Sequence, residues 1–363
     1  MGELNIFISN PAKLSIKSKN LNIKSLESSE AESLDSLDSQ DSKNAKAPSD
    51  EVFIPLDNIS SIIVDNPMCI FTHTLLDFLA QKNIVLIVCD DKHLPSGILL
   101  SLLNHSKTSL HLRTQIKLNS KTKATLWQEI IKVKIANQAA VLEILGKENS
   151  EVLRKMAKKV LLNDSSNLEA LAARIYFSSL FSEDFKRSKS DFKRREENII
   201  NAMLNYGYAI IRAKIARSIC AKGLLPSFGI FHDSSLNAFN LADDFLEVFR
   251  GFVDIYAYKY IEFTSRRSKA PPCDEGRCPF ETPKASGTIA PRKSISDLLC
   301  SPNELNKEDK LYLLGIFKKE IPLNGKMYLF DKGIDEVISQ YLRIVLGKDS
   351  ALKLPLLDTR FCD

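Results

Sequence analysis

The feature that most limits how this chain can fold is a change of hydrophobic period near residue 105. Before it come short segments rich in Ile, Val and Phe: Leu4-Asn-Ile-Phe-Ile8, Leu14-Ser-Ile16, Leu21-Asn-Ile23, Val52-Phe-Ile54, Ile59-Ser-Ser-Ile-Ile-Val64 and Ile84 to Val88. Their alternation, with turn residues between them, predicts strands. A single helix is expected among them, from about Thr72 to Gln81, with Leu75, Leu76, Phe78 and Leu79 as its apolar face. From about Ser109 the apolar residues recur at helical spacing, in long stretches over 123–146, 148–161, 167–181, 198–222 and 240–263. The chain therefore reads as α+β, with a β-rich N-terminal domain over residues 1–105 and a larger all-α domain over 106–363.

Two stretches break this pattern. Residues 25–51 are rich in Ser, Asp and Glu and lack any aromatic residue; such a composition cannot bury enough surface to order itself, so it is expected to be a disordered acidic insertion. Residues 266–293 carry five prolines and are expected to form a linker or surface loop.

Composition narrows the setting. The longest apolar run, Ile84-Val-Leu-Ile-Val-Cys89, is far short of the roughly 20 residues that span a bilayer, and the N-terminus lacks the order of a signal peptide. The seven cysteines are scattered, which suits reduced thiols and a cytoplasmic protein without a membrane partner. The whole chain carries a formal charge of only +5, but residues 107–222 hold 23 Lys and Arg against 11 Asp and Glu. That concentration suits a polyanion such as nucleic acid. The run Lys186–Arg195 reads as a solvated loop or a phosphate-backbone contact. No phosphate-loop or dinucleotide glycine motif is present.

Of the five histidines, His73, His93, His105 and His111 read as packing or surface residues, whereas His232 follows the breaker-rich segment 223–231 where the chain turns. After a polar loop, Asn240 is a plausible N-cap for a helix on which Asp243 and Glu247 share a face and Asp244 lies three before Glu247. Carboxylates so placed repel unless a cation sits between them. A plainer reading has Asp243 and Asp244 complementing the helix N-terminus while Glu247 pairs with Arg250 or a lysine. Glu169 lies early in an unusually apolar helix, where it is either stabilised by the helix N-terminus or partly buried and in need of a partner. Taken together, Glu169, His232 and Glu247 supply two hard oxygens and one imidazole, a set suited to Mg²⁺ or Mn²⁺ and to phosphoryl transfer on nucleic acid. The thiols Cys273, Cys278 and Cys300 offer a weaker alternative, an incomplete zinc site.

Several segments resemble the CRISPR-associated integrase family, Cas1, in a type II-like form. They are Ile54–Val64, Cys89–Gly97, Asn201–Tyr208, Gly229-Ile-Phe-His232 and Asn240-Leu-Ala-Asp-Asp-Phe-Leu-Glu-Val-Phe-Arg250, in the same order. The resemblance implies a β-sandwich-like N-terminal domain, a helical catalytic domain and a homodimer. It implies insertion of short foreign DNA fragments as spacers into a repeat array, together with the small ferredoxin-like partner Cas2. Carried over position by position, it implies Glu169, His232 and Glu247 as metal ligands and catalytic residues, with Asp243 or Asp244 able to share the third position. Two other readings remain: a DNA-binding scaffold dimer without chemistry, and a general metal-dependent nuclease.

Overall fold

The computed structural model describes residues 4–26, 51–101, 105–187, 198–267 and 305–362. It divides into two compact units, Met1–Ser106 and Lys107–Asp363.

The first unit holds two four-stranded sheets. One has the order β1 (Leu4–Ile8), β5 (Ile59–Val64), β7 (Val85–Cys89), β8 (Pro95–Leu99); its first three strands are parallel and β8 is antiparallel. The other has the order β4 (Glu51–Pro55), β3 (Asn20–Ser25), β2 (Ala12–Lys17), β6 (Ile70–Phe71). Helix α1 (His73–Gln81) is capped by the Thr72 hydroxyl, which accepts from the Leu75 amide, and it buries Leu75 and Leu79 completely. One core joins Ile8, Leu14, Leu21, Ile59, Ile62, Leu75, Leu79 and Leu86, drawn from both sheets and the helix. Each such side chain contributes about 1.5–3 kcal/mol relative to exposure. The acidic stretch, read as 25–51, is shorter at its ends: Ser25 closes β3 and Glu51 opens β4. Lys24 pairs with Glu51 across antiparallel strands, so the intervening residues, of which 27–50 lie outside those described, join two neighbours in one sheet.

The second unit is helical, as its periodicity predicts. Its elements are α2 (Thr108–Ile116), α3 (Ser120–Ile144), α4 (Ser150–Lys159), α5 (Leu168–Leu180), α6 (Ile199–Ala221), α7 (Asn240–Arg267), α8 (Lys307–Leu314) and α9 (Phe330–Val345). The periodicity did not foresee one hairpin, β9 (Glu320–Leu323) and β10 (Lys326–Leu329), closed by Asn324-Gly325, both at positive φ. α3 packs against α4, α5 and α7, and α6 packs against α7. The close approach of α6 and α7 depends on Gly207, where an added Cβ would lie 2.5 Å from Val253. The fully buried amide of Asn137 ties α3 to the Val248 carbonyl of α7 and to Pro355 and Leu357 of the C-terminal segment. α7 runs to Arg267, and most of the proline-rich loop, with Cys273 and Cys278, lies outside the described residues, as does Cys300. Among the described residues, Cys69, Cys89, Cys220 and Cys362 form no disulfide. No helix among the described residues is long and apolar enough to cross a membrane.

Candidate active site

Glu169 enters through an irregular turn. Asn163, Asp164 and Asn167 all adopt positive φ, a conformation asparagine and aspartate tolerate better than other side chains. Asp164, rather than Asn167, then caps α5: its carboxylate accepts from the Leu168 and Glu169 amides at 2.9 and 3.0 Å. Both sequence-based readings of Glu169 hold together, since it sits in the first turn and also has a partner. Lys134 Nζ, from the middle of α3, lies 2.6 Å from Glu169 Oε1.

The same ammonium lies 2.5 Å from Glu247 Oε2 on α7. Only 8% of the Lys134 side chain and 6% of the Glu247 side chain are exposed. Arg250, one turn on, places Nε 2.9 Å from that same Oε2. The oxygen is within ion-pair distance of both cations but has no aligned hydrogen bond. Burial alone would push the Glu247 carboxyl up; Arg250 and Lys134 outweigh it and hold the group down at about 2. The pairing of Glu247 with Arg250 and a lysine is thus a fact of the fold.

His232 is positioned differently, from the irregular segment between α6 and α7. α2 holds the start of that segment: His111 Nδ1 contacts the Lys222 carbonyl at 2.7 Å, and the Gln115 amide donates to Leu225 and Phe228 carbonyls. Lys123 and Trp127 of α3 hold its middle. The ammonium reaches the Gly229 carbonyl at 3.1 Å, Trp127 stacks on Phe231 at 4.3 Å, and the His232 ring meets Trp127 edge-on. Asn240 is the first residue of α7 rather than its cap; its side chain clamps the loop by donating to the Ser227 and Ser234 carbonyls.

Asp244 fixes the rest. Fully buried, it accepts from the Ile230, Phe231 and His232 amides, and its Oδ1 lies 2.8 Å from His232 Nδ1. Burial pushes the Asp244 pKa up, while the three backbone donors and His232 favour its carboxylate form. A carboxylate facing Nδ1 accepts a hydrogen bond from that nitrogen, which in the neutral ring leaves the lone pair on Nε2. The Asp244 hydrogen bond pushes the His232 pKa up, against burial, and the Glu247 charge adds to it. Gly229 lets the chain pass: a Cβ there would lie 2.1 Å from the His232 carbonyl oxygen and 2.8 Å from Asp244 Oδ2. Asp243 is occupied elsewhere, by Asn237 at 2.7 Å and Arg212 at 3.8 Å.

The structure thus brings Glu169 and Glu247 to one point, where the Lys134 ammonium stands. No three His, Cys, Asp or Glu side chains among the described residues are gathered tightly enough to grip an ion as they lie. The donors nonetheless suit a hard divalent cation. Two carboxylates converge on a position that a positive charge already takes, and the His232 ring, within electrostatic reach of Glu247, is held at Nδ1 by the Asp244 carboxylate. Sequence reasoning missed Lys134. The readable signal was a charged residue on the apolar stripe Ile130, Ile131 and Ile135.

A family model described as "CRISPR associated protein Cas1" matches residues 8–272, well over half of the chain. The chain belongs to the Cas1 family. Glu169, His232 and Glu247 all fall within the matched residues. A CRISPR-associated endonuclease Cas1 from Neisseria meningitidis serogroup C is 39% identical over 203 residues, 56% of this chain. The match spans 64% of that relative, just under two thirds of its length. A CRISPR-associated endonuclease Cas1 from Francisella tularensis subsp. novicida is 27% identical over 224 residues, covering 57% of this chain and 70% of the relative. Among solved structures, a casposase bound to its integration product superposes with a TM-score of 0.67 at 19% identity, covering 97% of this chain and 92% of its own. A Cas1 protein from Thermotoga maritima gives 0.64 at 17% identity, over 95% and 98%. These two structures share the fold of this Cas1 chain.

Proposed function

We propose that this chain is a metal-dependent DNA integrase and endonuclease of CRISPR adaptation. It would work in the cytoplasm as a homodimer with the small partner Cas2, joining short foreign fragments of double-stranded DNA to a repeat array. The observation that carries the reading is the convergence of Glu169 and Glu247, from separate helices, on one cation position, with His232 fixed through its Nδ1. Solved neighbours include a casposase bound to its integration product and a complex that contains Cas1 and Cas2, which favours strand joining over simple cutting.

Glu169, Glu247 and His232 Nε2 would hold Mg²⁺ or Mn²⁺. Such an ion, when bound, supplies charge neutralisation at a phosphodiester and eases ionisation of a hydroxyl. The chain's own contribution is positional. α5 and α7 carry the carboxylates on hydrogen-bonded backbone, Asp244 engages the imidazole at Nδ1, and Lys134 and Arg250 keep Glu247 ionised. In the reaction, the fragment's 3′-hydroxyl loses its proton and forms a P–O bond to the target phosphorus. The target's own P–O3′ bond breaks, and the leaving oxygen takes up a proton. One phosphodiester replaces another, so no nucleotide triphosphate is consumed. With water as nucleophile, the same arrangement gives a nuclease, the activity in the names of the curated relatives.

The test mixes the protein, with and without Cas2, with a labelled duplex bearing free 3′-hydroxyls and a supercoiled repeat-bearing plasmid in Mg²⁺ or Mn²⁺. Label covalently joined to relaxed plasmid, and lost in His232→Ala, is the expected result. Plasmid cutting without label transfer would leave a general nuclease. DNA binding with neither, or label transfer unchanged in Glu247→Ala, would remove the site assignment.

A further inference from the structure

Two turns beyond the paired carboxylates lies a second pairing between the same helices. Tyr176 is seven residues after Glu169 on α5, and Asp254 is seven residues after Glu247 on α7. At 1.5 Å per residue each sits about 10 Å further along its own helix and on the same face. The Tyr176 hydroxyl donates to Asp254 Oδ2 at 2.9 Å, and both side chains are buried. Asp254 also accepts, through Oδ1, from the hydroxyl of Tyr208 on α6.

From Asp254 two arms reach back to the site. One passes through Tyr176 into α5 and hence to Glu169. The other passes through Tyr208, whose ring lies beneath the Arg250 guanidinium at 4.5 Å, and Arg250 in turn faces Glu247 at 2.9 Å. Arg187 approaches the same ring at 5.2 Å and donates to Asn201 and Asn205 of α6 at 2.9 and 2.5 Å. A carboxylate so deeply buried is costly unless its donors are held in place, so this cluster ties three helices in a single geometry.

We propose that Asp254, through Tyr176 and Tyr208, is a positioning residue that sets the separation and orientation of Glu169 and Glu247. The proposal rests on the reading above that these two carboxylates hold the ion. Asp254 touches neither the ion nor DNA. Its effect is on how closely the two ligands converge, as partners behind metal ligands commonly do.

The test uses the full chain as Tyr176→Phe, which removes one hydroxyl and keeps the ring, alongside Asp254→Asn. Mn²⁺ binding is read from the paramagnetic resonance signal of free Mn²⁺, thermal unfolding is followed in parallel, and strand transfer is titrated with Mn²⁺. Tyr176→Phe is expected to remain folded and to bind Mn²⁺ about 10-fold more weakly. Its half-saturating Mn²⁺ in strand transfer should rise by the same factor, with the rate at saturation within about two-fold of the parent. Asp254→Asn, if folded, should lose more. A folded Tyr176→Phe with unchanged Mn²⁺ affinity would overturn the proposal, as would one whose loss persists at saturating Mn²⁺. Glu169→Gln and Glu247→Gln separate the two ideas. If they abolish Mn²⁺ binding while Tyr176→Phe does not weaken it, only the positioning role fails; if they leave binding intact, the ligand reading fails and takes this proposal with it.

Discussion

The two halves of the candidate site are made rigid by opposite means. Glu247 stands inside a helix that satisfies its own backbone hydrogen bonds and Glu169 in a first turn capped by Asp164; what both side chains then need is charge, supplied by Lys134 and Arg250. His232 stands on irregular chain that cannot satisfy itself. It needs hydrogen-bond partners for its backbone, and Gln115, Lys123, Asn240 and Asp244 provide them from three helices. One half should therefore fail by electrostatic imbalance, the other by displacement.

The largest difference should come from truncating one residue of each half. Glu247→Ala leaves the buried Arg250 without its facing carboxylate and Lys134 with Glu169 alone, and a loss of about 3–5 kcal/mol of unfolding free energy is expected in urea titration. His232, with 40% of its side chain exposed, should cost only about 1 kcal/mol when replaced by Ala, because Asp244 keeps its three amides. A larger loss for His232 would reverse the comparison.

Acid should separate the halves next. The Glu247 carboxyl, held at about 2 against an ordinary 4.5, favours the folded state fully above pH 4.5 and loses that contribution as pH falls toward 2. The amount is on the order of 3 kcal/mol. Glu247→Gln should flatten this part of the stability curve, and an unchanged slope between pH 4.5 and 2 would show that the ion pairs contribute little.

Displacement is tested by Gly229→Ala, whose Cβ would collide with the His232 carbonyl and Asp244. About 1–3 kcal/mol of stability should be lost. Strand transfer should fall further than in Lys123→Ala, which removes only one anchor of the same loop.

The smallest effect is a titration. The His232 pKa is raised, so the stability its charge contributes is fully present below the ordinary 6.5 and fades as pH rises through the folded value. Asp244→Asn should lower the His232 pKa followed by NMR; no movement would mean the carboxylate does not govern that ring.

How much of this was legible varies by residue. The helix that carries Glu247 was readable because Asn240–Phe263 keeps one apolar stripe, and the spacing of Asp243, Glu247 and Arg250 followed from 3.6 residues per turn. The role of Asp244 was not. Its neighbours Ile230, Phe231 and His232 belong to a loop, and no periodicity predicts how an irregular backbone folds back over a helix. The hairpin at Asn324-Gly325 carried a readable turn signal within a helical context that hid it.

By itself the sequence determined the two-part architecture, most of the strands of the first unit, the long helices up to residue 263, and the residue types that could hold a divalent ion. These follow from local period and chemistry, which depend on neighbours a few positions apart. Only the tertiary structure decided that Lys134 stands between Glu169 and Glu247, and that Tyr176 and Tyr208 meet on Asp254. Those contacts join residues 35 to 113 positions apart in the chain, and the packing of α3 against α5 and α7, with that of α6 against α7, selects them. Spacing within one helix says which side chains share a face; it cannot say which other helix that face will meet.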